Sequence, residues 1–352
     1  MKNKIKVLVV DDSALVRGIL AKGLSLDPEI DVVANASDPY IARDKIMTFN
    51  PDVLTLDVEM PRMDGVEFLR RLMPQHPLPV LMVSSLTERG KAITMQALEA
   101  GAVDFVTKPN TDVANGLNSM LSELRSKVKI ASKANVNHWK RRDYKPSKTT
   151  NKSYSALAES TNKVIAIGAS TGGTEAIRRL LSQLPADTPG IVIVQHMPAG
   201  FTSMFAESLN KISAMTVKEA KSGDRIMLGS VLIAPGDQHM KVMRSGGTYI
   251  VDCYNGEKVC GHRPSVEILF QSVAKYVGAN AVGVMLTGMG HDGADGMVEM
   301  KKAGAQTLAQ NEATSVVFGM PKVAYERGGT DKLIPLDSIA NEIISTLSEM
   351  GK

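Results

Sequence analysis

Cysteine is nearly missing from this chain: of 352 residues only Cys253 and Cys260 carry a thiol. They stand in no zinc or redox spacing, which excludes a disulfide framework and a cysteine-built metal site. Two small buried hydrophobes in a reducing cytoplasm is the reading left for them. Long apolar runs are also missing. None approaches the roughly twenty residues that a bilayer span requires, so no membrane insertion is expected. The opening M-K-N-K-I-K-V-L-V-V-D-D begins basic, but its aspartates cut the apolar run short, and it reads as a strand rather than a signal peptide. A cytoplasmic location is expected.

A charge excess of one sign is the third absence. The net charge is +4, but residues 126–162 hold nine lysines and arginines against Asp143 and Glu159. That segment carries +7 and leaves −3 on the remainder, so the folded parts are mildly acidic. With no helix-turn-helix pattern beside it, this balance argues against nucleic acid as a partner. What is present is ordinary globular material, 43% hydrophobic and 22% charged, in a chain long enough for two domains.

One stretch organises the rest: K-V-I-A-I-G-A-S-T-G-G-T-E-A-I-R, residues 163–178. Val164 to Ile167 reads as a buried strand, Gly168, Gly172 and Gly173 loosen the turn, and Thr174 is the expected cap of the following helix. Ser170 stands on that turn beside helix N-terminal amides. The stretch fails the dinucleotide fingerprint and matches the nucleophile elbow G-x-S-x-G, but a tight turn with a capping serine fits it equally well. The pentapeptide leaves both open.

From Met1 to about Lys127, apolar strands alternate five times with amphipathic helical patterns. The strands are expected at 6–10, 32–36, 53–57, 80–85 and 105–108. A (βα)5 series implies a parallel sheet whose ligands sit at the strands' carboxyl ends. Those ends carry Asp11 and Asp12, Asp57, Ser84 and Ser85, and Lys108. Three carboxylates at one edge call for a hard cation such as Mg²⁺, and a lysine and a hydroxyl opposite could hold a phosphoryl group on an aspartate. The D-D-S at Asp11, the L-D-V-E-M-P-R-M-D-G at Leu56 and the T-K-P at Thr107 resemble the receiver domain of two-component response regulators. The resemblance implies that Asp57 accepts a phosphoryl group from a histidine kinase. It also implies that Asp12 and Asp57 bind Mg²⁺ with Asp11 nearby and the Glu59 carbonyl helping, and that Ser84, Phe105 and Lys108 form the switch.

Beyond Lys127 the hydrophobic period fades into Ser, Thr, Asn and Lys, which reads as a linker over 128–162. Its single tryptophan, Trp139, is either packed on a neighbouring domain or the apolar anchor of a basic helix end. From Lys163 the βα alternation resumes, with strands expected at 190–195 and 281–286 and an antiparallel insertion around Lys218 to Val251. Ser170, His196 and the His291-Asp292 pair fall at ends of separate strands. A serine needs a base and the base needs an orienting carboxylate, so convergence of these types suits acyl transfer. The order Ser, His, Asp differs from that of α/β-hydrolases. Spacing alone does not separate His196 from His291, and His239 and His262 read as loop bystanders.

G-A-S-T-G-G-T-E-A-I at Gly168, Q-H-M-P at Gln195, I-A-P-G-D at Ile233, R-P-S-V at Arg263 and L-T-G-M-G-H-D-G at Leu286 resemble the chemotaxis protein-glutamate methylesterase/glutaminase (CheB) family. The resemblance implies Ser170 as nucleophile, His196 as general base and Asp292 as its orienting acid. Amides near Met289, with Thr171 beside the serine, would serve the oxyanion, and the esterase reaction would need no cofactor. The family often has asparagine where His291 stands, so no catalytic role is assigned to it.

The expected fold class is α/β throughout. A flavodoxin-like receiver over 1–127 leads through a flexible basic linker to a doubly wound, largely parallel domain over 163–352. The expected function is demethylation and deamidation of chemoreceptor glutamates and glutamines, switched by Asp57, with the unphosphorylated receiver covering the Ser170 edge. The alternative is a receiver-controlled, non-catalytic binder of receptor or DNA.

Overall fold

The computed structural model describes residues 4–85, 87–109, 113–141 and 162–350. The chain divides into two compact units, Met1–Lys145 and Pro146–Lys352.

In the first unit, β1 (Ile5–Val10), β2 (Ile30–Ala36), β3 (Val53–Asp57), β4 (Val80–Ser84) and β5 (Asp104–Thr107) alternate with α1 (Ala14–Ser25), α2 (Pro39–Phe49), α3 (Gly65–Gln75), α4 (Glu88–Ala100) and α5 (Val113–Ala131). The sheet is parallel in the order β2-β1-β3-β4-β5. Strands β3 and β4 are buried at every residue, as their unbroken apolar runs require. Side-chain caps start the helices sharply: Asp38 accepts from Tyr40 and Ile41, Asp64 from Glu67, and Thr87 from Gly90.

Helical structure continues past residue 128, where the linker was expected to begin. Helix α5 runs to Ala131 and a 3₁₀ turn covers Asn137–Arg141. Val128 and Ala131 are fully buried and Trp139 is 4% exposed. Trp139 lies over Gly101, where an added Cβ would stand 3.1 Å from the indole. The tryptophan therefore belongs to the first unit's own core, and its basic neighbours hid that. The rest of the expected linker, 142–161, lies outside the described residues.

The second unit runs β6 (Val164–Ala169), α6 (Gly173–Leu181), β7 (Gly190–Gln195), α7 (Phe201–Asn210), β8 (Thr216–Glu219), β9 (Ser230–Ile233), β10 (His239–Ser245) and β11 (Thr248–Tyr254). It continues through α8 (Val266–Tyr276), β12 (Ala281–Met285), α9 (Ala294–Lys302), β13 (Gln306–Gln310), α10 (Met320–Glu326), β14 (Leu333–Ile334) and α11 (Leu336–Glu349). Seven strands form one parallel sheet, β14-β13-β12-β6-β7-β9-β8. The antiparallel insertion is smaller than expected. β8 and β9 pair in parallel, and among the described strands the antiparallel pair is the β10–β11 hairpin, joined by an isolated antiparallel bridge from Arg225 to Ile250; its inner face (Met240, Val242, Val251) is packed into the cluster that holds Val266 and Phe270 of α8.

The turn after β6 also departs from expectation. Thr174 lies inside α6, whose N-cap is Gly172 at φ 77° with no side-chain cap. Gly200 and Gly293 open α7 and α9 in the same left-handed conformation. A Cβ on Gly172 would meet Val316 at 2.5 Å, so the turn is a close backbone approach as well as a reversal.

Candidate active site

Three neighbouring strand ends build the site. Ser170 follows β6, His196 follows β7, and Asp292 lies in the loop after β12. Backbone bonds hold these ends in register: Ser170 N–H donates to Thr287 O, His196 N–H to Ala169 O, and Leu286 N–H to Gly168 O. Thr287, fully buried, ties the elbow further by donating its hydroxyl to the carbonyl of Thr171 at 3.0 Å. The carboxamide Nε2 of buried Gln195 spans the carbonyls of Ser170 and His196, at 2.9 and 3.2 Å. The nucleophile candidate and the base candidate thus share one brace.

His196 joins the other two side chains. Its Nδ1 lies 3.1 Å from Ser170 Oγ and its Nε2 lies 2.7 Å from Asp292 Oδ2. Asp292 is 1% exposed and accepts from Ser265 Oγ at 2.7 Å, Val266 N–H at 2.7 Å and Glu267 N–H at 3.1 Å. Burial pushes its pKa up, but the hydrogen bond and charge of His196 and the bonds from Ser265 and Val266 outweigh that and hold it below the usual value. The carboxylate is also an external cap for α8, placed at the positive end of that helix. Because an ionised carboxylate only accepts, Nε2 carries the proton and Nδ1 is left to accept from the Ser170 hydroxyl.

The surroundings sort the remaining candidates. The Ser170 N–H is already spent on Thr287, whereas the Met289 N–H has no protein partner among the described residues. Thr171 is buried beside the serine. His291 is exposed, and its carbonyl accepts from Ala294 N–H; among the described residues its ring joins neither Ser170 nor His196, so it lies outside the relay. Cys260, expected as a buried hydrophobe, is exposed; Cys253 is half-buried, its thiol pushed up to about 12 by burial and the charges of Asp252, Asp224 and Glu219. His262, read as a bystander, stacks on His196.

In the first unit, carboxylate oxygens of Asp11, Asp12 and Asp57 lie within 4.8 Å of one another. Lys108 Nζ donates to Asp11 Oδ2 and Asp57 Oδ1, both at 3.0 Å. Burial first, and then the Asp11 charge, raise the Asp57 carboxyl to about 6 against the pull of Lys108. Burial works against the Lys108 ammonium too, but the two aspartates keep it above its ordinary value. Ser84 is buried with its hydroxyl 2.6 Å from Thr94 Oγ1 and 3.2 Å from Gly90 O, both in α4. Phe105 is buried with Lys127 Nζ 5.3 Å from its ring centroid. The Glu59 side chain turns to Arg89 at 3.4 Å.

Comparison with known proteins bears on both units. The family model described as CheB methylesterase matches residues 165–343, and the one described as response regulator receiver domain matches residues 7–118. The chain belongs to the CheB methylesterase family. It is 67% identical over 350 residues to a protein of Syntrophotalea carbinolica named protein-glutamate methylesterase/protein-glutamine glutaminase, covering 99% of both chains. A protein of the same name from Salmonella typhimurium is 51% identical over 348 residues, with 98% of each covered. The crystal structure of the Thermotoga maritima CheB methylesterase catalytic domain aligns with a TM-score of 0.52 and 37% identity, covering 53% of this chain and 99% of that one.

For a CheB chain, then, sequence reasoning found the three strand-end side chains but missed their supports. Ser265, Gln195, Thr287 and His262 reach the relay only through the fold. The signal for Ser265 was available: a serine just before a helix is a cap candidate, and here its hydroxyl instead serves Asp292.

Proposed function

We infer that this protein is a phosphorylation-activated hydrolase of chemotaxis adaptation. It removes methyl from glutamate methyl esters on chemoreceptors, releasing methanol, and deamidates glutamines there, giving glutamate in both cases. One observation carries the reading: the Ser170–His196–Asp292 chain of hydrogen bonds at adjoining strand ends, in a protein that begins with a receiver domain.

The geometry supports a definite sequence of proton movements. Nδ1 of His196 takes the Ser170 proton as Oγ bonds to the substrate carbonyl carbon, and Asp292 stabilises the imidazolium through Nε2–H. The tetrahedral oxyanion is stabilised by backbone donors, with the Met289 N–H as the candidate and Thr171 beside it. Collapse breaks the bond to methoxide or amide, and His196 returns the proton so that methanol or ammonia leaves. Water, deprotonated by His196, then hydrolyses the acyl-serine and restores Ser170.

In the receiver, three carboxylates face one ammonium, which leaves two negative charges unbalanced. A donor set of clustered oxygens with that excess fits Mg²⁺, held by Asp12 and Asp57 with Asp11 beside them and the Glu59 carbonyl as a further donor. Such an ion supplies charge neutralisation for phosphoryl transfer. Asp57 attacks phosphorus as the acceptor from a chemotaxis histidine kinase, Lys108 pairs with the transferred group, and Ser84 and Phe105 change position with it. The receiver restrains the hydrolase until Asp57 is phosphorylated.

The test is methanol release from a methylated receptor preparation by the full chain, with and without acetyl phosphate. Wild type is expected to release methanol faster with the phosphodonor, Asp57→Asn to lose that gain, and Ser170→Ala to release none while still binding receptor. Undiminished release by Ser170→Ala would end the enzymatic assignment.

A further inference from the structure

His262 has no place in the relay, yet it lies face to face with His196. The ring centroids are 3.7 Å apart and the planes are inclined by 12°. A tight turn carries it there. Val259 and His262 exchange both backbone hydrogen bonds, at 3.1 and 2.9 Å, and Cys260 and Gly261 between them take φ of 51° and 82°. Two successive left-handed residues make the primed turn that reverses a hairpin in two positions. For a residue with a Cβ such as Cys260 that conformation is uncommon.

The segment after the turn is pinned at two points. The Arg263 guanidinium donates to Asp237 Oδ1 through Nε at 3.0 Å and NH2 at 2.6 Å. Ser265 donates to Asp292, the same carboxylate that holds His196. The His262 ring is therefore carried on a braced support and not on a free loop tip.

The two hydrogen bonds of His196 lie in its ring plane and resist a small out-of-plane tilt only weakly. A flat ring stacked on one face restrains that tilt and shields the face from water. Proton transfer from Ser170 depends on Nδ1 staying aligned with Oγ, so small losses of alignment cost rate. We propose that His262 is a positioning residue for the hydrolase reaction, holding the His196 imidazole plane by stacking rather than touching the reacting atoms. The proposal rests on the assignment of Ser170 and His196 as nucleophile and base.

The test uses the full-length chain and two readings. One is the rate at which a fluorophosphonate labels Ser170, with fluoride leaving, which reports nucleophile activation without receptor. The other is kcat and KM for methanol release from methylated receptor. His262→Ala is expected to slow both labelling and kcat by roughly 10- to 100-fold with KM little changed, as a misaligned base would. His262→Phe, which keeps a flat ring, is expected to restore most of both rates. Should His262→Ala not fold, His262→Gln removes the ring at similar size and carries the same expectation.

Wild-type labelling in the ringless variant, a change in KM alone, or a Phe variant as slow as the ringless one would each overturn the positioning role. Ser170→Ala separates this from failure of the underlying assignment. If that variant is still labelled and still active, the catalytic reading itself falls, whatever His262 does.

Discussion

His196 presents Nε2, not Nδ1, to Asp292, with 2.7 Å between Nε2 and Oδ2. The serine side of the relay therefore uses Nδ1, the nitrogen nearer the backbone. The tautomer follows from Asp292 alone, because its other contacts donate to it, among them Ser265 Oγ, the amides of Val266 and Glu267, and the Cys260 thiol. A carboxylate saturated in this way can hold only the Nε2–H form. Asp292→Asn places an amide group there that can donate to the ring and favours the other tautomer, with its proton on Nδ1. The expected outcome is a loss of kcat of about 10²- to 10⁴-fold with KM little altered. Steady-state methanol release checks it, and a change confined to KM would contradict the orienting role.

The same carboxylate sets an acid limb for stability. Its native pKa lies below the ordinary 3.8, so the unfolded chain takes up the proton first as pH falls. The contribution of Asp292 is fully present above the ordinary value and is lost as pH drops through the lowered native one. Urea unfolding of wild type and Asp292→Asn at a series of pH values is expected to show the wild-type advantage at neutral pH shrinking below about pH 4. A gap that stays constant to pH 3 would assign the advantage to packing instead of charge.

Gly288 makes a second steric demand on the Ser170 turn. A Cβ at this position would stand 2.8 Å from Ser170 Cβ and would also collide with Met320 Sδ. The methionine can yield, but Ser170 is fixed by its N–H bond to Thr287 O. Gly288→Ala is expected to displace the Ser170 hydroxyl and lower kcat by roughly 10²-fold, since misplacement on the scale of 1 Å has that effect. Phosphorylation of Asp57 by acetyl phosphate should be unchanged, which gives a check on folding of the other unit.

Much of this was legible before any coordinates. Parallel strands announce themselves as short β-branched runs, and chemistry at their carboxyl ends is a rule of such sheets, so Asp57, Lys108, Ser170, His196 and Asp292 could be placed at strand ends from pattern, while the choice of His196 over His291 rested on the family resemblance. Local punctuation misled where glycine replaced a side-chain cap. Thr174 has the right chemistry for an N-cap, but Gly172 reaches a φ of 77° that threonine avoids. Trp139 was ambiguous because the basic run around it in the sequence says nothing of the ring, which is buried. The stacking of His262 depends on a turn and two anchors that join residues 237, 262 and 292, and no local pattern encodes that meeting.

The receiver switch offers a last prediction. On the proposed switch, Ser84 turns its hydroxyl toward Asp57 to meet a phosphoryl group there; in this structure that hydroxyl is engaged 2.6 Å from Thr94 Oγ1. Thr94 is itself fully buried in α4 and 2.7 Å from the Gly90 carbonyl, so its hydroxyl links the switch residue to the helix. On that proposal the Thr94–Ser84 bond belongs to the unphosphorylated arrangement and is given up on activation. Thr94→Val keeps the shape and removes the hydroxyl, at a cost of about 1 kcal/mol to the resting receiver. A differential of that size corresponds to roughly a fivefold shift of the switching equilibrium. The variant should therefore reach half-maximal methanol release at several-fold lower acetyl phosphate than wild type, and should unfold at lower urea. A variant that needs more phosphodonor would mean that Thr94 supports the active arrangement and that the bond seen here is made in both states.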